Sequence, residues 1–111
     1  MAQLRIQAIP LATLSSALIS NTYTPVNGTG LPNACFLLRI INNSTEPVTL
    51  SYGGSTDSDI LPAGDTLQLP GPINTNQGSR GALFPIGTII YARGTAGTGS
   101  IGVAGYFTLQ P

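Results

Sequence analysis

The side chains best suited to chemistry in this chain are its carboxylates. Asp57, Asp59 and Asp65 fall in one short stretch, Glu46 lies just upstream, and these four are its whole acidic complement. Hard cations take several oxygen ligands, so closely spaced aspartates raise a calcium site first, but the spacing matches no EF-hand loop. A glycosidase would need two of these carboxylates set across a cleft, and the aromatic platform usual for a sugar is thin. Asp and Ser beside Gly and Pro are also the residues that tight turns require. That reading leaves no catalytic, cofactor-binding or metal-ligating residue to expect.

Nucleophiles fare no better. The serines and Cys35 have no His to activate them and the chain has no Lys for a Schiff base, so no enzymatic activity is expected. Gly94, Gly97 and Gly99 suggest a phosphate loop only superficially, because such a loop opens a helix and the segment after Gly99 is strand-like. Cys35 sits inside the apolar run Ala34–Ile41, has no second Cys to pair with, and reads as a buried structural residue made in a reducing cytoplasm. Glycosylation sequons at Asn27, Asn42 and Asn43 mean little in a chain so rich in Asn, Ser and Thr.

Charge excludes further classes. Only 7% of the 111 residues are charged and the net charge is zero, whereas about a quarter of an ordinary soluble domain is charged. Arg5, Arg39, Arg80 and Arg93 are scattered, so no basic stripe exists to bind nucleic acid. A weakly charged surface repels its own copies little, which favours self-association. No run reaches the roughly 20 apolar residues that span a bilayer, and polar residues interrupt positions 1–20 before a signal-peptide core forms. A soluble, unexported chain with no membrane partner is the expectation.

The elements that would carry these residues are strands. Leu4, Ile6 and Ala8 alternate with polar neighbours up to Pro10. Residues 11–23 are open between extended chain and a helix facing inward with Leu11, Leu14, Leu18 and Ile19. A Gly/Pro/Asn loop over 24–33 precedes Ala34–Ile41, which is apolar on both sides and belongs in a sheet interior or at a subunit contact. Asn42–Pro47 reads as a turn, Val48, Leu50 and Tyr52 as a strand, and Ile60–Leu61 as a short one. PAGD at 62–65 is a tight turn leading to Leu67 and Leu69. Pro70–Gly81 is a long polar connection of the kind that binds a neighbour. Thr88–Ala92 and Ser100–Leu109 come next, joined by a glycine-rich hairpin, and Tyr23, Tyr52, Tyr91 and Tyr106 on these strands read as core or interface. About eight short strands predict one all-β domain over 1–111, an antiparallel β-sandwich of jelly-roll type. Its compact core is 34–109, with 1–23 a possible N-terminal arm or first strands.

Residues 34–108 resemble a group of small β-sandwich virion proteins of tailed bacteriophages. The matching positions are Asn42, Ser51, Gly53, Gly54, Asp57, Pro62, Ala63, Gly64, Gly87, Thr88 and Tyr91. The family pattern Ser-x-Asp-Gly reads Ser51-Tyr52-Gly53-Gly54 here, so its Asp is missing. The resemblance implies a non-enzymatic structural protein of the virion, assembled in the host cytoplasm. It would be a capsid decoration protein or a neck or tail component. Its partners would be its own copies as a homo-oligomer and other virion proteins, such as the major capsid, neck or tail protein. The alternative is a carbohydrate-binding β-sandwich module, which would expose Tyr beside Asn and Asp around a polar hollow.

Overall fold

The computed structural model describes residues 5–70 and 84–109. Alternating apolar residues form nine strands: β1 (Arg5–Ala8), β2 (Ala12–Ser15), β3 (Thr24–Pro25), β4 (Leu37–Ser44), β5 (Val48–Ser51), β6 (Asp59–Leu61), β7 (Thr66–Pro70), β8 (Tyr91–Gly94) and β9 (Gly99–Leu109). A single 3-10 turn, Ser16–Leu18, is the only helical element among the described residues. One sheet runs β1-β9-β4-β7 with β2 also on β9; the other runs β3-β8-β5-β6, and every pairing is antiparallel. At Pro10 and Leu11 two residues oppose Ala104 alone, since Ile9 N donates to Gly105 O while Ala12 already pairs with Val103. β1 and β2 are thus one edge strand broken by a bulge at a proline. Counting them together, the pairs nest first with last, second with seventh, third with sixth and fourth with fifth, which is the jelly roll.

The core fills the space between the sheets. Leu38, Ile40, Leu50, Ala92, Ile101 and Val103 are completely buried, and Leu14, Leu67, Leu69, Phe84 and Phe107 pack against them. Each fully buried Leu or Ile contributes roughly 1.5–3 kcal/mol by leaving water.

Residues 11–23, open in the sequence between extended chain and helix, are strand, 3-10 turn and extended chain in succession; Ile9, just before this segment, and Ile19 within it are core residues. Several other local expectations are corrected. Cys35 faces the core together with Leu38, out of step with simple alternation, because a bend at Phe36 resets the phase. Asn42 does not open a turn, since β4 continues to Ser44. Tyr52 lies past the end of β5. The segment 94–99 is not a hairpin, because β8 and β9 belong to different sheets and the glycines carry the chain between them. Gly99 makes that crossing at a φ of 98°, and a Cβ there would overlap Asn43 O. Beyond Pro70, the polar connection expected to Gly81, with Arg80 in it, lies outside the described residues, as does Leu4.

Asn42 is fully buried and fastens the two sheets to one another. Its Nδ2 donates to Glu46 O (2.9 Å), Leu61 O (3.0 Å) and Pro62 O (3.2 Å), so a β4 side chain holds the chain on both sides of β5 and β6. Its Oδ1 accepts from Ser44 Oγ at 2.5 Å. The backbone of the same residue receives Gly64 N at 2.8 Å and donates to Asp65 O at 2.9 Å, closing the β6–β7 turn. Asn27, at 4% exposure, donates to Thr88 O and accepts from Ile90 N, extending the β3–β8 pairing within one sheet. Both side-chain amides are occupied, so neither of these two sequons is open to a glycosyltransferase in the folded chain.

Replacing the Asn42 amide by a carboxylate removes the donor and aims two acceptors at three carbonyls. Asn42→Asp is expected to be unfolded at neutral pH, and Asn42→Ala to lose on the order of 3 kcal/mol, measured by denaturant titration. Leu38→Asp buries an unpaired charge and should likewise abolish the cooperative thermal transition; a native-like melt for either Asp variant would contradict this packing.

Candidate functional site

Two surface regions stand out, one on the outer side of each sheet. On the β3-β8-β5-β6 sheet, the loop after β5 folds back over the strands. Gly54 N donates to Ser51 Oγ at 2.8 Å, and Gly54, at a φ of 83°, sits against the Tyr91 ring where a Cβ would approach it to 3.0 Å. The loop is then anchored through Asp57. Arg93, which pairs with Thr49 on the outer face, grips that carboxylate with two parallel bonds, Nη2 to Oδ2 at 2.7 Å and Nε to Oδ1 at 3.0 Å. Arg93 Nη1 also donates to Asn21 Oδ1 at 2.9 Å, and the guanidinium lies 5.6 Å from the centre of the Tyr23 ring. The Tyr23 hydroxyl donates to Asp57 Oδ1.

These bonds set the charge states. The Arg93 guanidinium, and then the Tyr23 hydroxyl, hold Asp57 below the ordinary aspartate range. The same carboxylate pushes Tyr23 and Arg93 upward. Nearby, the Tyr52 hydroxyl donates to Asp59 Oδ2, and partial burial followed by that bond raises Tyr52 well above a free tyrosine. A shallow hollow of about 350 Å³ lies beside the cluster, lined by Thr49, Asp57, Ser58, Asp59 and Ile60.

Asp57 and Asp59, weighed in the sequence as chemistry-bearing, therefore do come together. Asp65 and Glu46 stay apart in the β6–β7 and β4–β5 turns, and no group of three metal-ligating residues occurs among the described residues. Asp57 is more than turn chemistry, since it straps a loop to a sheet. Nothing in the sequence spacing of Tyr23, Asp57 and Arg93 announces this cluster. The glycine segment offers no anion cradle, because Gly94 N and Gly97 N donate to Ser20 O and Ser16 O, and Thr98 N donates to Thr45 Oγ1. Cys35 is completely buried, as expected, and its burial pushes the thiol up, away from the reactive thiolate.

The outer side of the β1-β9-β4-β7 sheet is different. Register sets its rows: Ile6 beside Thr108; Ala8 beside Tyr106 and Leu37; Ala104 beside Arg39 and Gln68; Thr13 beside Gly102, Ile41 and Thr66; Ser15 beside Ser100 and Asn43. Leu11, lifted by the bulge, lies over Gly102. Antiparallel sheets usually turn a polar face to water. Here Ile6 is 71% and Leu11 58% exposed, Leu37 and Ile41 are half-buried, and small Gly102 and Ala104 leave the middle flat. Arg39 is its one charged group among the described side chains, donating to the Tyr106 hydroxyl at 3.3 Å. The run Ala34–Ile41, apolar on both sides in the sequence and so suited to a sheet interior or a subunit contact, supplies part of this face.

Comparison with known proteins found no matching family model, no similar curated protein and no similar solved structure.

The Asp57–Arg93 pair keeps side-chain exposures of 51% and 29%, so solvent screens it, and Asp57→Asn should fold normally with a thermal midpoint within a few degrees of the parent. Because the folded pKa of Asp57 is depressed from 3.8, its contribution is complete above that value and is lost as pH falls through the lower folded pKa. Melting curves taken from about pH 5 down to about pH 2 should therefore fall less steeply for Asp57→Asn than for the parent; parallel curves would contradict the assignment.

Proposed function

We propose that this chain is a non-enzymatic structural subunit of a tailed-bacteriophage virion, most simply a capsid decoration protein that stabilises the particle through subunit contacts, with a neck or tail component as the other location. The observation that carries this reading is the apolar outer face of the β1-β9-β4-β7 sheet. A monomer working alone in water gains nothing from exposing Ile6 and Leu11 on a face where Leu37, Ile41 and Tyr106 are also only half-buried, and exposed apolar area of this kind points to an interaction site. Leu18, Ile60 and Ile86 are also exposed, at 64%, 73% and 69%, so apolar contacts are available on several sides, as a subunit set between neighbours requires. Zero net charge removes the repulsion that would keep copies apart. The reading also takes up the resemblance of residues 34–108 to small phage virion proteins, which lies in turn residues such as Pro62, Ala63 and Gly64. The jelly roll itself does not discriminate, since capsid and lectin domains both use it.

Absence of enzymatic activity belongs to the same proposal. It is supported by the lack of His and Lys and by the burial of the one thiol.

A second reading, a carbohydrate-binding module, has one specific observation in its favour: Tyr52 and Tyr23 stand beside Asp59, Asp57 and Asn21 next to a shallow polar hollow. Against it, both hydroxyls and the Asp57 carboxylate already satisfy one another, so a sugar would have to displace bonds that strap the loop. Removing residues 1–20 is not a clean test of assembly, because Ile9 and Ile19 fill the core and the first strands cover β9.

Immunogold labelling of intact virions with antibody to the folded chain should decorate regular positions on the head, neck or tail. Particles that carry none of the protein would overturn the structural reading, and specific binding on a glycan array, lost in Tyr52→Ala, would favour the second.

A further inference from the structure

Asn27 is the one asparagine of the chain that is followed by glycine. The backbone nitrogen after an asparagine can attack its side-chain carbonyl carbon and close a five-membered imide, and glycine allows this most readily because it has no Cβ to crowd the ring. The attack needs a side-chain amide free to turn towards that nitrogen. Here the amide is held: Asn27 Nδ2 donates to Thr88 O at 2.9 Å and Oδ1 accepts from Ile90 N at 2.8 Å. The backbone on either side is tied to the same strip, with Val26 N donating to Ile90 O at 2.8 Å, Leu31 N to Thr88 O at 3.1 Å and Gly87 N to Leu31 O at 2.9 Å. Val26 and Leu31 are themselves core residues. Releasing the amide therefore means lifting 26–31 off 87–90 and drawing two apolar side chains out of the core, which is a partial unfolding of the sandwich and not the fraying of a surface loop. Gly28, by contrast, is exposed and has nothing within 4 Å of the place a Cβ would take, so the bonds of Asn27 and not crowding at Gly28 hold the reaction back.

We infer that Asn27 and Gly28 form a self-modification site that the fold keeps shut, and that opening of the 26–31 segment exposes it to a reaction which makes the opening permanent. Gly28 N bonds to Asn27 Cγ as the Cγ–Nδ2 bond breaks, and the proton lost from Gly28 N leaves with Nδ2 as ammonia. Water then opens the imide. Cleavage of the newly formed N–C bond leaves aspartate at position 27; cleavage of the original peptide C–N bond leaves isoaspartate, whose main chain runs through the side chain and is one carbon longer. Water is the only co-reactant. Neither product fits the closed structure. Thr88 O receives two donors, Asn27 Nδ2 and Leu31 N, and an aspartate would replace the first of them with an acceptor held against it. The extra carbon of isoaspartate breaks the register by which Val26 N and Leu31 N together reach Ile90 O and Thr88 O. The site thus turns a transient unfolding into an irreversible one.

Ageing the full chain tests this. Parent and Gly28→Ala are held at mildly alkaline pH, both native and in guanidinium chloride, then mapped by peptide mass spectrometry and returned to native buffer for thermal melts. Gly28 has no left-handed φ and its Cβ position is empty, so the melt of unaged Gly28→Ala should match the parent. Denatured parent should gain aspartate and isoaspartate at position 27 at least about tenfold faster than native parent, in which attack waits on the fraction of chains that are open. The share of parent that no longer refolds should rise in step with that modification, while aged Gly28→Ala keeps its refolding yield. Asn27→Asp, which carries one product from the start, should show no native-like melt at neutral pH. Equal rates in native and denatured parent would mean that the bonds of the amide do not guard it, and would overturn the inference. A parental melt from modified parent or from Asn27→Asp would overturn it as well, as would loss of refolding in Gly28→Ala as fast as in the parent.

Discussion

The structure depends on a single buried polar group, the side-chain amide of Asn42. A β-sandwich of short strands is held mainly by apolar burial, which is non-directional and would tolerate one sheet sliding over the other. Asn42 makes the relation specific. It lies in the central strand β4 of one sheet and reaches carbonyls at both ends of the β5–β6 unit of the other, while its own backbone closes the β6–β7 turn. Burying an amide costs several kcal/mol unless it is fully bonded, so only one register of the sheets satisfies it. Asn27 is a second buried amide, and it holds the chain after β3 to Thr88–Ile90 just ahead of β8 within one sheet. With these two anchors the chain can use very short strands, such as the two-residue β3 and three-residue β6, with its one cysteine left unpaired.

That economy shapes the surface. One sheet has its outer side partly covered by the loop that Gly54, Asp57 and Arg93 strap down, so Ser51 is buried although its strand position points outward. The other sheet has no such cover among the described residues, and its outer rows set Ile6, Leu11, Leu37 and Ile41 among Thr13, Arg39, Thr66, Gln68 and Thr108. An exposed, flat sheet face with so little charge is a liability for a solitary protein. In a subunit that spends its life between neighbours it is an asset, and the low charge of the chain belongs to the same design.

Much of this was legible in the sequence, for a simple reason. Alternation with a period of two identifies the inward side of a strand wherever both sides differ, so Val48 and Leu50 read correctly, whereas Ala34–Ile41, apolar on both sides, left open which of its sides faces the core until Leu38 and Ile40 were seen buried. PAGD at 62–65 read correctly as a turn, and the structure adds that its Gly64 amide bonds to Asn42. Alternation cannot give which sheet a strand joins. The glycine segment 94–99 looked like a hairpin because hairpins and sheet-to-sheet crossings use the same residues. Asn42 looked like the start of a turn because a polar residue after an apolar run ordinarily is one. Its burial depends on partners 4, 19 and 20 residues away, which no local pattern encodes. Tyr23, Asp57 and Arg93 meet only through the winding of the jelly roll, so their cluster was invisible until the topology was known.

If the apolar sheet face exists to be covered by repeated neighbours, the protein must be present in the particle many times over. Quantitative mass spectrometry of gradient-purified virions, with an isotope-labelled copy of this chain as standard, measures that directly. The account predicts a reproducible multiple that matches a ring or a capsid lattice. A value of one copy per particle or fewer, or a protein found only in the unassembled fraction, would contradict it.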